Sequence, residues 1–139
     1  MSREAGFTGT RGGLKVAQAD ALREVLQGVT RLHHGDCVGA DAEAYAMARQ
    51  QGTPTEGHPP SNYGLRAFTM NDRDHLPAPY LVRNRAIVDA TDELIACPGK
   101  MQENVRSGTW ATIRHARATG KPITIIWPTG EVRLEIAEP

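Results

Sequence analysis

Two short segments join glycine to hydroxyl and cationic side chains: Gly9-Thr10-Arg11-Gly12-Gly13 and Ser107-Gly108-Thr109. Glycines let a ligand approach the backbone closely, hydroxyls donate hydrogen bonds, and the planar guanidinium of Arg11 suits a phosphate. Read without a ligand, the first loop is a tight turn with a surface arginine. It matches neither the Gly-Lys-Ser/Thr phosphate loop nor the dinucleotide fingerprint, which argues against a P-loop NTPase and an ordinary dehydrogenase. In a third loop, Gly35-Asp36-Cys37-Val38-Gly39-Ala40-Asp41, Gly35 and Gly39 give backbone room and Asp41 reads as the N-cap of the helix that follows. Asp36 suits ribose hydroxyls as an acceptor, and equally suits a turn. In Arg83-Asn84-Arg85, neighbours one apart on a helix do not share a face, so Arg83 and at most one other reach a common pocket. Pro98 and Gly99 open a fourth loop.

Metal and thiol chemistry find less support. His33 and His34 are adjacent and, on a strand, point to opposite faces, so a zinc site built from them with His58 and Asp36 is set aside, and no metal ligand is assigned. Cys37 and Cys97 show no CxxC spacing and read as reduced packed residues; Cys37 as a nucleophile would need a base and an electropositive setting. Trp110 suits stacking on a base or a dimer contact, and equally an ordinary core position.

Elements that alternate must carry these loops. Residues 6–10 form a strand candidate before the helical pattern Leu14, Val16, Ala17, Ala21, Leu22, Val25, Leu26. Residues 30–34 and 53–58 are further strand candidates, separated by an alanine-rich helix over 42–51 closed by Gly52. The stretch 59–79 has no periodicity and is expected to be a loop or lid beside the site. A helix is expected from Leu81 to Ala90, a buried strand at 93–97, a helix at 110–119, a strand at 123–127 and a short edge strand around Val132, Leu134 and Ile136. Strands alternating with helices imply an α/β class: a single Rossmann-like, doubly wound, mostly parallel sheet with helices on both faces, spanning 1–139 as one domain. Ligands of such sheets bind beyond the carboxyl ends of the strands, where the strand order reverses, and that rule selects the loops above.

The 139 residues suit one core; 40% are hydrophobic and Gly adds 14 residues, which excludes a disordered chain. Sixteen Lys and Arg balance sixteen Asp and Glu, so no overall field draws the chain to nucleic acid or membrane, and a bound anion must be held locally. Helix N-termini provide such local anion sites. No long apolar run and no signal-peptide pattern is present, so a cytoplasmic location without membrane insertion is expected, and no cofactor is indicated.

From Phe7 to Pro128 the chain resembles the SLOG superfamily, which unites DprA (Smf) DNA-processing proteins with Lonely Guy (LOG) enzymes, and within it the small YspA-like members. The resembling pieces are Thr8-Gly9-Thr10-Arg11, His34-Gly35-Asp36-Cys37-Val38-Gly39-Ala40-Asp41, Arg83-Asn84-Arg85, Asp92 to Gly99 and Ser107-Gly108-Thr109. The resemblance implies a nucleotide or nucleotide-derived phosphate ligand, bound in a sensor or carrier role at Gly9, Thr10, Arg11, Gly35, Asp36, Gly39, Arg83, Asn84, Pro98, Gly99, Ser107, Gly108 and Thr109. It also implies a homodimer or larger homo-oligomer. In LOG-like enzymes a Pro-Gly-Gly-x-Gly-Thr-x-x-Glu motif supplies a catalytic carboxylate, and Arg83 falls at the assisting arginine for cleavage of a nucleoside 5′-monophosphate. Here Lys100 to Ser107 interrupts the motif and Thr112 stands at the Glu position, which weakens this phosphoribohydrolase alternative; Glu103 is the nearest substitute. A DprA-like single-stranded DNA-binding role ranks below small-molecule binding, because seven aromatics and zero net charge give little basis for a basic, stacking groove.

Overall fold

A computed structural model describes residues 2–136. Seven strands form one sheet in the order β4-β3-β2-β1-β5-β6-β7. They are β1 (Glu4–Gly9), β2 (Arg31–His34), β3 (Thr55–Gly57), β4 (Arg73–Asp74), β5 (Glu93–Cys97), β6 (Ile123–Ile126) and β7 (Val132–Glu135). All pairings are parallel except β6 with β7. Four helices connect them: α1 (Val16–Val25), α2 (Ala40–Gln50), α3 (Tyr80–Asp89) and α4 (Gly108–Ala118). This is the doubly wound α/β arrangement expected from the alternating pattern.

Strand alternation divides the core in two. Ala5, Phe7, Leu32, Ile95 and Cys97 face α1 and α2, meeting Leu22, Leu26, Ala44 and Ala48. Leu94, Ala96, Ile123 and Ile125 face α3 and α4, meeting Val88, Trp110, Ile113 and Ala116. From β1 the chain winds outward through β2 to β4, then returns to lay β5 on the other side of β1. The strand order therefore reverses between β1 and β5, and the loops leaving these two strands diverge there.

Two details differ from the sequence reading. Helix α2 starts at Ala40 with Gly39 at its N-cap, at φ 95°, and Asp41 does not cap it. Asp41 turns inward, and its Oδ2 accepts the Cys37 amide at 3.3 Å. The segment 59–79 is not featureless: it contains a 3-10 turn at Tyr63–Leu65 and the strand β4, which pairs with β3. Its periodicity is invisible because side chain to backbone bonds hold it. Asn62 accepts from Gly64, Arg66 and Thr69 reach Asp36, and Asp72 accepts from Thr55.

Candidate functional site

The β1 and β5 loops and the N-terminus of α4 enclose an open cleft of about 770 Å³. Gly9, Thr10, Arg11, Gly99, Ser107, Gly108 and Thr109, all singled out in the sequence, line it together. Parallel pairing places Gly9 opposite Cys97, and the Thr10 amide continues the ladder by donating to the Cys97 carbonyl at 3.1 Å. A Cβ on Gly99 would stand 2.8 Å from Thr10 Oγ1, so glycine there lets the two loops close together. The buried Gln18 of α1 locks the cleft floor, donating to the carbonyls of Pro98 and Ile126 at 2.9 and 2.8 Å. Pro98 is thereby a buried support beneath the cleft and does not line it.

Ser107 caps α4, its Oγ accepting the Trp110 amide at 3.4 Å. The opening amides of an α-helix have no partners within the helix, and here those of Gly108 and Thr109 begin a helix that borders the cleft. The Tyr80 ring packs directly on Gly108, where a Cβ would collide with it. The Arg11 guanidinium lies 4.9 Å from the Tyr80 ring centroid, a cation-π contact that holds Arg11 at the rim. Lys100, Arg106 and Arg114 complete a set of four cationic lining residues. No aspartate or glutamate lines the cleft among the described residues.

The sequence reading missed Tyr80, Gln102, Asn104 and Arg114 as lining residues. Arg114 was accessible as a signal, since it lies four positions after Trp110 and one face of a helix carries both. Glu103 does not line the cleft. It pairs with Arg114 and Arg117, each at 3.2 Å, and these partners keep its pKa below the usual carboxylate value. Thr112 is buried, and its hydroxyl donates to the Gly108 carbonyl at 2.8 Å.

Five of the expected ligand residues require correction. Arg83 is 3% exposed and does not line the cleft. Its Nη1 donates to the carbonyls of Gly35 and His58, its Nε donates to Asn84 Oδ1 at 2.7 Å, and it packs against the Tyr80 ring 4.7 Å away. These bonds make it an internal strut that fixes the β2 loop to α3. Asn84, buried beside it, borders a smaller hollow between α3 and α4. Asp36 is fully buried and its carboxylate is committed: Oδ2 accepts from Arg66 Nε at 2.7 Å and Oδ1 from the Thr69 amide and hydroxyl at 2.8 Å each. Gly35 is enclosed by the side chains of Arg83 and Asp41, and Gly39 lies against the Arg11 backbone, with the Ala40 amide donating to the Thr10 carbonyl at 3.0 Å. These residues shape and brace the first loop and take no part in the cleft surface.

No family model matches the chain, and no curated protein sequence matches it. Solved structures do. The molybdenum cofactor binding protein of Rippkaea orientalis superimposes with a TM-score of 0.71 at 21% identity, covering 91% of this chain and 77% of that one. The molybdenum cofactor carrier protein of Chlamydomonas reinhardtii gives 0.66 at 18% identity, with coverage of 90% and 76%. DNA processing protein A of Streptococcus pneumoniae gives 0.66 at 20% identity, covering 89% of this chain, which spans half the length of that protein. The chain shares the doubly wound α/β fold of these proteins. The resemblance read from the loop motifs is thus borne out at the level of architecture. In this chain the cleft sits where the strand order reverses. No described helix is long and apolar enough to cross a membrane.

Proposed function

We propose that the cleft binds a phosphate-bearing small molecule, a nucleotide or nucleotide-derived compound, in a carrier or sensor role. One observation carries this reading: four cationic side chains and a helix N-terminus border a cleft that no described carboxylate lines. Such a site attracts an anion although the chain is electrically neutral overall. Ser107 and Thr109 add hydroxyls, and the open shape of the rim leaves room for a base or a fused ring system. The carrier role draws support from the fold shared with proteins described as binding or carrying the molybdenum cofactor. Hydrolysis at a glycosidic bond is disfavoured, because the group that would stabilise an oxocarbenium-like centre has no counterpart at Thr112 and Glu103 is held by two arginines.

Isothermal titration with pyrophosphate, nucleoside mono- and diphosphates and a phosphorylated pterin tests the reading. Saturable binding by one of these is expected, weakened roughly 10- to 100-fold in Arg106→Ala, as for loss of one charge-assisted hydrogen bond. Absence of binding across the panel overturns it. Retention of a single-stranded oligonucleotide without any mononucleotide binding would replace it with a DNA-binding role.

A further inference from the structure

We propose that His33, Glu56, His58 and His75 form a binding site for one divalent transition-metal ion of the zinc class, separate from the cleft. Strand register assembles the site. His33 of β2 pairs with Glu56 of β3, which pairs with Arg73 of β4, so these positions share one face of the sheet. His58 and His75 each follow two positions beyond a member of that row, and alternation returns them to the same face. His34, one residue along, points away, where its Nδ1 accepts the Asp36 amide and its Nε2 donates to Asn71.

One ligand atom from each of the four residues lies within 4.8 Å of all the others. His33 Nδ1 stands 2.9 Å from His58 Nε2, and Glu56 Oε2 lies 2.8 Å from His75 Nε2 and 3.7 Å from His33 Nδ1. Tetrahedral coordination at about 2.0–2.2 Å separates ligand atoms by ~3.3 Å, so shifts of roughly an ångström or less close the set around an ion. Three imidazoles and one carboxylate suit zinc and its neighbours, not the all-oxygen shells of calcium or magnesium.

The surroundings suit a cation too. Glu4 Oε1 lies 3.4 Å from His33 Nε2, the outer carboxylate that orients a metal-bound imidazole through its second nitrogen. Among the described residues, Arg31 is the arginine within ion-pair distance of both Glu4 and Glu56, at 3.7 and 3.4 Å, so two carboxylates stand beside the histidines. The bound ion would fasten the two-residue strand β4 to β3 and β2.

The test uses the full chain, stripped with a chelator, dialysed and titrated with Zn²⁺ alone by calorimetry, and with Co²⁺ by visible absorption. One ion per chain, a raised melting temperature and the intense ligand-field absorption of four-coordinate Co²⁺ are expected. His75, at the rim with its side chain 31% exposed, is the substitution the fold tolerates best. His75→Ala and the isosteric Glu56→Gln should each weaken binding roughly 10-fold or more, while His115→Ala, at a separate surface histidine, leaves it unchanged. No stoichiometric binding by the unaltered chain overturns the proposal. So does a six-coordinate Co²⁺ spectrum, or affinity that stays the same in both His75→Ala and Glu56→Gln.

Discussion

Arg66 donates through Nε to Asp36 Oδ2 at 2.7 Å, and the acceptor has no solvent-exposed surface. Asp36 also adopts a positive φ of 52°, a conformation that aspartate tolerates better than most residues. Fastening by this carboxylate explains why 59–79 folds back over the β2 loop. Arg66→Ala leaves the buried charge with only the two donors of Thr69, and removing one partner of a buried pair is costly. A loss of about 2–3 kcal/mol is expected, read by urea unfolding, with accelerated proteolysis within 59–79. A change below about 0.5 kcal/mol would show that the pair contributes nothing.

Arg83 separates support from ligand contact. Its substitution by Ala strands the carbonyls of Gly35 and His58 and unpacks Tyr80, so a stability loss of about 3 kcal/mol or more is expected. In thermal melts this amounts to a shift on the order of 10 °C. Below the melting range, phosphate affinity in Arg83→Ala should change less than in Arg106→Ala, because only Arg106 lines the cleft. The reverse order of effects would return Arg83 to direct ligand binding.

Both thiols should be silent in the folded protein. Cys37 is 4% exposed and Cys97 fully buried, and burial raises the pKa of each, against a smaller opposing pull of Arg83 on Cys37. Since the thiolate is the reactive form, iodoacetamide at neutral pH should label neither in the native state and both after unfolding, as read by mass spectrometry. Rapid native labelling of Cys37 would reveal opening of the β2 loop.

The sequence carries the alternation where a strand is a short apolar run, as in β5 and β6, and where a helix closes on glycine, as α2 does at Gly52 and α4 at Gly120. Residues 93–97 and 123–126 are legible for that reason, whereas β4 is two exposed charged residues whose pairing depends wholly on β3. The cleft itself was readable, since Gly9, Thr10, Arg11, Gly99 and Ser107 to Thr109 all follow strands that end at the reversal of strand order. Asp36 and Arg83 were misplaced because their partners are 30 and 48 residues away, and local spacing does not say which side of a loop a side chain takes. The histidine cluster was missed for a related reason. Opposite orientation of His33 and His34 correctly disposes of a joint site, but the partners of His33 alone are set by inter-strand register, which a sequence does not display.

Gly108 offers a direct test of the cleft geometry. It is the first residue of α4, and the absence of a side chain lets the Tyr80 ring seat against the helix opening. Gly108→Ala inserts a methyl group into that contact and must displace the ring, which also carries Arg11 at 4.9 Å on one approach and Arg83 at 4.7 Å on another. Alanine is a better helix former than glycine, so the helix term favours the variant by up to about 1 kcal/mol, and the ring displacement opposes it. Net stability should therefore move by no more than roughly 2 kcal/mol, the range of modest overpacking. Ligand affinity should fall further, by roughly 10-fold or more, because Tyr80 and Arg11 shift together at the rim and the helix amides become obstructed. Tyr80→Leu in the same background removes the obstructing ring and should recover part of the affinity. Binding that is indifferent to Gly108→Ala would place the phosphate site elsewhere than the opening of α4.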